Sequence, residues 1–226
     1  MKLGRTGFTL VLLAIGWALA QPAPREAGQT PAAQVASVQL QNGDRVSGQV
    51  MDPTISLESL FGTLPLPYHL IRFAAQQGNM TVLSLQSGDR VTGTLTGPGL
   101  NLLTAVADTP LSIAWSFISI LSFPAVDTPP GPDQVVLVNH DWLSGVIETE
   151  ALNVQTSFGM AQIDLGQIRN ITRTTSDQDF IFALRDGDRI TGSLPEQTLR
   201  LQVAEGEVLE LTVRGENLLA IFFTGR

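Results

Sequence analysis

The chain has 226 residues, of which 43% are hydrophobic and 15% charged, and its formal net charge is −8. This composition supports one large or several small domains with buried cores, and it excludes disorder over most of the length. There is no cysteine, which excludes disulfides, thiolate nucleophiles and cysteine-based metal sites.

The charge balance also bears on the partners of the chain. Its 13 basic residues fall to 11 if Lys2 and Arg5 leave with a cleaved segment, against 21 acidic residues. The sequence shows no local basic stripe, and an acidic surface repels a phosphate backbone. We therefore expect no binding to nucleic acid.

The first 20 residues have the features of a secretory signal peptide. Lys2 and Arg5 precede an apolar run, 8–20, that ends in Ala18-Leu19-Ala20, so we expect cleavage between Ala20 and Gln21. The run is too short to remain as a stable transmembrane helix after processing. The sequence thus predicts export to the periplasm or cell envelope, or out of the cell.

A second feature of this region offers an alternative. The stretch "GFTLVLL", 7–13, resembles the cleavage motif of type IV prepilins, which implies a minor pilin-like component. Leu12 stands where prepilins carry an acidic residue, and Pro22 and Pro24 end the apolar helix early. Residues 21–36 that follow are rich in Pro, Ala, Gln and Gly, and predict a flexible leader.

One short motif then occurs four times, as "QNGDRVSGQV", "QSGDRVTGTL", "VNHDWLSGVI" and "RDGDRITGSL". Copy 1 (37–73) aligns with copy 3 (135–171) without a gap, and copy 2 (82–121) aligns with copy 4 (182–222) near their turns. The repeats therefore predict a first module, 37–123, and a second module, 135–226. The segment between them, 124–134, has the composition of a Pro-rich linker.

The motif predicts a β-hairpin followed by a bent strand. An Asn-Gly or Gly-Asp pair favours a tight turn, and a glycine in mid-strand permits a sharp bend or a bulge. The predicted structural turn residues are Asn42, Gly43, Asp44, Gly48, Gly88, Asp89, Gly93, Asp141, Gly145, Gly187, Asp188 and Gly192.

This spacing of strand, turn and bent glycine strand resembles the first motif of Sm-like and SH3-like small barrels. It is also similar to small repeats in bacterial envelope proteins of unassigned function. The resemblance implies an all-β fold of four tandem β-meander or SH3-like small-barrel units, arranged as a duplicated two-unit module. The RNA-binding activity of Sm-like proteins is not carried over, because the chain is acidic and exported.

The repeated aspartates have two interpretations. They could be calcium ligands, but one carboxylate per copy supplies too few oxygens. We favour a structural role, in which each aspartate hydrogen-bonds its own turn or pairs with Arg45, Arg90 or Arg189. His69 and His140 are the only histidines, and they fall at non-equivalent positions. We expect no metal site and no cofactor.

Trp142, Trp115 and Tyr68 are the candidate ligand or partner surface, because exposed aromatic rings stack on sugars and on partner side chains. The sequence contains no G-x-S-x-G elbow, H-E-x-x-H motif, P-loop or G-x-G-x-x-G motif. We therefore predict a non-catalytic binding or structural role, as an adapter or scaffold for an envelope protein or polysaccharide. The alternative is a carbohydrate-binding module that uses these aromatic residues, and a hydrolase is less favoured.

Overall fold

The computed structural model of the chain describes residues 34–224 apart from 177 and 205. The predicted signal peptide, its cleavage site at Ala20 and Gln21, and all but the last three residues of the leader lie outside the described residues. The described residues belong to one compact unit, Ala33–Arg226.

The described part of the chain is all-β and antiparallel. Its first half contains ten strands: β1 (Val35–Leu40), β2 (Arg45–Val50), β3 (Thr54–Ser59), β4 (Gly62–Pro67), β5 (Ile71–Gln77), β6 (Met80–Leu85), β7 (Arg90–Thr96), β8 (Leu100–Thr104), β9 (Leu111–Ile113) and β10 (Ile118–Ser122). Two short 3₁₀ helices, Tyr68–Leu70 and Trp115–Phe117, precede β5 and β10.

The second half repeats this order of strands. It contains β11 (Asp133–Leu137), β12 (Trp142–Ile147), β13 (Ala151–Thr156), β14 (Gly159–Asp164), β15 (Ile168–Arg173), β16 (Asp179–Leu184), β17 (Arg189–Ser193), β18 (Gln197–Ala204), β19 (Glu207–Val213) and β20 (Leu218–Phe222). A 3₁₀ helix at Leu165–Gln167 precedes β15, as Tyr68–Leu70 precedes β5.

Strands alternate buried and exposed side chains, as the sequence pattern predicts for a half-buried sheet. In the β3–β4 hairpin Ile55 lies opposite Leu66 and Leu57 lies opposite Leu64, and all four side chains are buried. Burying one such aliphatic side chain contributes about 1.5–3 kcal/mol. Similar pairs along the other hairpins form a hydrophobic core that extends through both halves.

Strand pairing within each half is shared between its two sequence copies. Strands β1 and β2 of copy 1 pair with each other, but their outer neighbours are β10 and β8 of copy 2. Strands β6 and β7 of copy 2 likewise have β5 and β3 of copy 1 as outer neighbours. The second half has the same pairs, with each strand number raised by ten.

The result is four groups of five strands, which we call half-sheets. Half-sheet 1 has the order β10-β1-β2-β8-β9 and half-sheet 2 has the order β5-β6-β7-β3-β4. Half-sheets 3 and 4 are their counterparts, β20-β11-β12-β18-β19 and β15-β16-β17-β13-β14. The predicted all-β class is confirmed, but the sheet is not closed.

The mid-strand glycine of each motif lies where its strand meets the strand from the other copy. Gly93 of β7 pairs with Ser59 of β3, and a Cβ at Gly93 would overlap the Glu58 carbonyl oxygen. A Cβ at Gly192 would come within 2.5 Å of the Gln155 carbonyl oxygen. Gly48 and Gly145 have the same relation to the backbones of β8 and β18. Glycine therefore permits the close approach of two backbones that joins the copies.

The Pro-rich segment between the halves is held at both of its ends. The buried Gln86 side chain donates to the Pro124 carbonyl oxygen at 3.0 Å and accepts from the Val126 amide at 2.9 Å. At the other end, the Gly131 amide donates to the Ser144 hydroxyl at 3.3 Å. These contacts fix the path of the linker against both halves.

Candidate functional site

The four repeated aspartates occupy two different environments. Asp89 and Asp141 are buried, with 1% and 0% of their surface exposed, while Asp44 and Asp188 are exposed. The buried pair belongs to copies 2 and 3, where the two halves of the molecule meet through a single ladder pair, Trp142 with Arg90. The repeat thus uses the same residue type both inside the molecule and at its two ends.

Asp89 and Asp141 form a reciprocal set of hydrogen bonds between the halves. Asp89 accepts from the Ser144 amide at 2.9 Å and from the Ser144 hydroxyl at 2.7 Å. Asp141 accepts from the Thr92 amide at 2.7 Å and from the Thr92 hydroxyl at 2.8 Å. We call this contact the turn junction. On each side, the donor lies three positions after the aspartate of its own turn, and it donates to the aspartate of the other turn.

The charges of the turn junction are partly compensated. The Arg90 guanidinium lies 4.0 Å from the Asp141 carboxylate, with Arg90 half-exposed and Asp141 fully buried. Burial raises the pKa of the Asp89 carboxyl from its ordinary value, and hydrogen bonds from Ser144 and Ser87 oppose that rise. Within its own turn, Asp141 also accepts a hydrogen bond from the Asn139 side-chain amide at 2.7 Å.

The turns themselves have the backbone that the motif predicts. Gly43, Gly88 and Gly187 have φ values of 92°, 89° and 101°, which favour glycine over other residues. His140 takes the place of the turn glycine in copy 3, and its φ is 63°. At the exposed copy 1 turn, the Asn42 side chain donates to Asp44 at 2.8 Å.

Tyr68 and Trp115 line one cleft of about 350 Å³ on the first half. Each is the first residue of a 3₁₀ helix, so they are equivalent positions in copies 1 and 2. Asp52 also lines this cleft, and its carboxylate accepts from the backbone and side-chain amides of Asn101 at 3.1 and 3.3 Å. The cleft therefore places two aromatic residues beside a carboxylate and an amide that are held by hydrogen bonds.

The two aromatic residues differ in exposure. Tyr68 is 3% exposed, and its ring lies 5.6 Å from that of Phe123. Burial, and next the charge of Asp52, raise the pKa of the Tyr68 hydroxyl, so it stays protonated at neutral pH. Trp115 is half-buried, and its indole N–H donates to the Thr96 carbonyl oxygen at 3.2 Å.

Trp142 does not belong to this cleft. It lies at the turn junction, where its backbone pairs with that of Arg90, and its side chain is half-buried. Among its described residues, the second half has no aromatic cleft of this type. Leu165 replaces Tyr68 at the start of the 3₁₀ helix, Thr149 replaces Asp52, and the segment 214–217 before β20 contains no aromatic residue.

A larger cavity, of about 700 Å³, lies beneath the linker, where His69 and Asp127 are among its lining residues. The His69 Nε2 atom is 4.0 Å from a Glu207 carboxylate oxygen, and both side chains are nearly half-exposed. Exposed pairs of this kind contribute little to stability. His140 is not among the residues that line this cavity. In the described ranges, no three His, Asp or Glu side chains converge as metal ligands.

Some residues of these sites were not predicted from the sequence. Ser144 and Thr92 were missed because a hydroxyl residue on a strand is ordinarily solvent-exposed, as Ser47 is at the same position of copy 1. A signal was present, since the position three residues after each aspartate is Ser or Thr in all four copies. Asp52 and Asn101 were missed because they lie on different copies.

Comparison with known protein families, with curated proteins and with solved structures finds no match to this chain. Within residues 34–224, apart from the two that are not described, there is no helix of the length and hydropathy needed to span a bilayer. The function is therefore argued from the geometry of the molecule and from its sequence.

Proposed function

We propose that this chain is an exported, non-catalytic scaffold or adapter of the bacterial cell envelope, which binds an envelope protein or polysaccharide. We further propose that its half-sheets derive from SH3-like or Sm-like small-barrel units that exchanged strands. In half-sheet 1, β10, β1, β2, β8 and β9 take the places of the fifth, first, second, third and fourth strands of a five-stranded small barrel. This strand order supports the proposed origin.

The observation that carries the proposal is the use of the repeated polar residues. Asp89 and Asp141 hold the two halves together, and Gly93 and its counterparts bring the copies together. The residues that are repeated in all four copies thus have structural roles, since they connect the copies and the two halves. The polar side chains of the Tyr68–Trp115 cleft and of the cavity beneath the linker are not repeated in the other copies. In that cavity, His69 has a distant and exposed carboxylate partner.

Export and partner binding are tested in one experiment on the full chain. The chain is expressed in a bacterium with a photo-crosslinking residue at the exposed Phe158, and cell fractions are compared before and after irradiation. We expect a mature chain that begins at Gln21 in the envelope or periplasmic fraction, and a crosslinked species whose added mass differs from that of a second copy of the chain. A matched crosslinker at the buried Phe61 position serves as the control.

Two results would contradict the proposal. A chain that keeps residues 1–20 and stays in the cytoplasmic fraction would exclude export by a cleaved signal peptide. A correctly exported chain that gives no crosslinked species, from Phe158 or from other exposed positions such as Phe117 and Val106, would exclude the adapter role.

The Tyr68–Trp115 cleft favours a second candidate function, carbohydrate binding. Here we expect wild-type protein to bind envelope polysaccharide fragments in isothermal titration calorimetry, and Trp115→Ala to weaken binding at least about tenfold, because stacked aromatic rings dominate such contacts. Phe117→Ala is the matched control, since Phe117 lies on the same 3₁₀ helix but does not line the cleft. Equal loss in both variants, or no binding by the wild type, would exclude this function.

A further inference from the structure

We propose that the protein self-associates head to tail, with half-sheet 4 of one molecule binding half-sheet 1 of the next through a second turn junction. The contact would repeat the one that joins half-sheets 2 and 3 within the chain. The proposal goes beyond the adapter function, because the partner is a second copy of the same chain and no envelope component is needed.

The internal turn junction provides the template. On each side it requires an aspartate at the turn and a Ser or Thr three positions later. The first residues of the strand that follows the turn must also be unpaired on one edge, so that the two strands can meet. In β7 and β12 the first residues, Arg90 and Trp142, form their ladder pair on that edge. Four hydrogen bonds from Ser144 and Thr92 to the two carboxylates complete the contact.

The same groups are present and exposed at both ends of the molecule. Copy 1 carries Asp44 and Ser47, and copy 4 carries Asp188 and Thr191, all four exposed. The strand edges are also available. β2 meets β8 only from Gly48 onward, and β17 meets β13 only from Gly192 onward. The first three residues of β2 and of β17 thus have no neighbour on that side among the described strands.

An apolar contact points to the same surfaces. In half-sheet 2 the Phe61 carbonyl oxygen accepts from the Thr212 amide of β19 at 2.8 Å, across the boundary between the halves, and Phe61 is fully buried. Its counterpart in half-sheet 4 is Phe158, which is 78% exposed. Met160 beside it is 61% exposed. Phe158 and Met160 are therefore exposed in half-sheet 4, whereas Phe61, at the equivalent position of the internal junction, is buried.

The opposite end offers a matching edge. β9 is the counterpart of β19, and among the described strands it pairs only with β8. Its first residue, Leu111, is 44% exposed. In a second turn junction this edge would lie against the start of β14, as β19 lies against the start of β4.

Charge is balanced in such a contact. Within the chain, Arg90 lies 4.0 Å from Asp141 of the other half. Between molecules, Arg189 would lie beside Asp44, and Arg45 beside Asp188. Two carboxylates would thus meet two guanidinium groups, and burial of the carboxylates would be compensated by charge-assisted hydrogen bonds.

The residue types also select the direction of assembly. The internal junction joins a copy that carries Thr, at Thr92, to a copy that carries Ser, at Ser144. Copy 4 carries Thr191 and copy 1 carries Ser47, so joining copy 4 to copy 1 reproduces this combination. Such a heterologous contact leaves one end free at every step, so it builds open chains unless the rotation between copies closes a ring.

Sedimentation velocity of the purified mature protein tests the proposal. We expect the weight-average mass of the wild type to rise with concentration beyond that of a dimer. Asp44→Arg and Asp188→Arg should each remain monomeric over the same range, because each blocks one end by repulsion with the facing arginine. Glu58→Arg makes the same change in charge at an exposed residue of β3, which belongs to neither end contact, and should assemble like the wild type.

Mixing the two blocked variants tests the direction. Each variant keeps one intact end, so an equimolar mixture of Asp44→Arg and Asp188→Arg should form a 1:1 dimer and nothing larger. Ser47→Ala and Thr191→Val each remove the hydroxyl donor and should weaken assembly at least about tenfold. Circular dichroism verifies that all these variants are folded.

Two outcomes would overturn the inference. A wild-type protein that stays monomeric at every concentration would show that the ends do not associate. Dimers of Asp44→Arg alone, or of Asp188→Arg alone, would show that an end binds itself and that the direction is wrong. Because the experiment contains no envelope component, its failure would leave the proposed adapter function to its own test.

Discussion

Asp89 is a carboxylate held almost completely out of water, and its titration is coupled to the stability of the molecule. The folded state raises its pKa above the ordinary value of 3.8. The folded protein therefore binds a proton more tightly than the unfolded chain does. The stabilising contribution of this group is complete below the unfolded pKa, and it is lost as the pH rises through the folded pKa.

Asp89→Asn removes this titration while keeping the shape of the side chain. We expect the stability of this variant relative to wild type to increase as the pH is raised from about 3 to 7, because the wild type loses stability above the ordinary carboxyl pKa. Urea unfolding at several pH values measures the difference. Glu58→Gln, at an exposed site, is the control for the loss of one charge, and a difference for Asp89→Asn that did not vary with pH would contradict the prediction.

At Gly93 the chain of copy 2 closely approaches that of copy 1. A Cβ there would overlap the backbone carbonyl of Glu58. We expect Gly93→Ala to lower the free energy of unfolding by about 1–3 kcal/mol, because the two strands must separate to admit the methyl group. Thr94→Ala, at the next and exposed residue of β7, should change it by less than about 0.5 kcal/mol. Equal effects of the two substitutions would exclude a steric role.

Between elements, the β7–β12 contact depends on donors that face buried carboxylates. Ser144→Ala removes the hydroxyl that donates to Asp89, and we expect a loss of about 1.5–3 kcal/mol, since a buried charge loses a partner. Ser47→Ala is the matched substitution in copy 1, where the residue is exposed, and should cost under about 0.5 kcal/mol in the monomer. Urea midpoints at low protein concentration measure both, and similar losses would contradict a special role for the junction.

Sequence patterns determine the hairpins more securely than the contacts between them. The Asn42-Gly43 turn and the alternation along β1 and β2 are local features, so the motif predicts both. The pairing of β3 with β7 is not local, because the same alternation would fit any neighbouring strand. The close approach of Gly93 to the β3 backbone distinguishes β3 from other possible neighbours of β7. This approach is known only from the positions of the two strands in the structure.

The candidate sites show the same limit. Tyr68 and Trp115 were singled out as aromatic residues, but their shared cleft follows from the matching 3₁₀ helices of copies 1 and 2. Trp142, which the sequence predicts as part of the same surface, lies outside this cleft at the turn junction. Burial of Asp89 and exposure of Asp44 cannot be distinguished in the sequence, because the motif around them is nearly identical.

At the scale of the whole molecule, the strands of each half pair almost entirely within that half, whereas those of a single copy do not. Copy 1 alone supplies β1 to β5, but β2 and β3 find their outer neighbours in copy 2. We therefore expect a fragment of residues 34–131 to fold cooperatively, and a fragment of residues 34–79 to remain unfolded. Amide dispersion in NMR spectra distinguishes these states, and a well-dispersed spectrum for 34–79 would contradict the prediction.

The sharing of strands also has a consequence for the timing of synthesis. The neighbours Ser37 and Ser122 are separated by 85 residues, so half-sheet 1 cannot be completed until that length of chain has left the ribosome. At ~5–20 residues per second this takes roughly 4–17 s. On the export route proposed above, the chain would therefore reach a secretion channel before half-sheet 1 is complete.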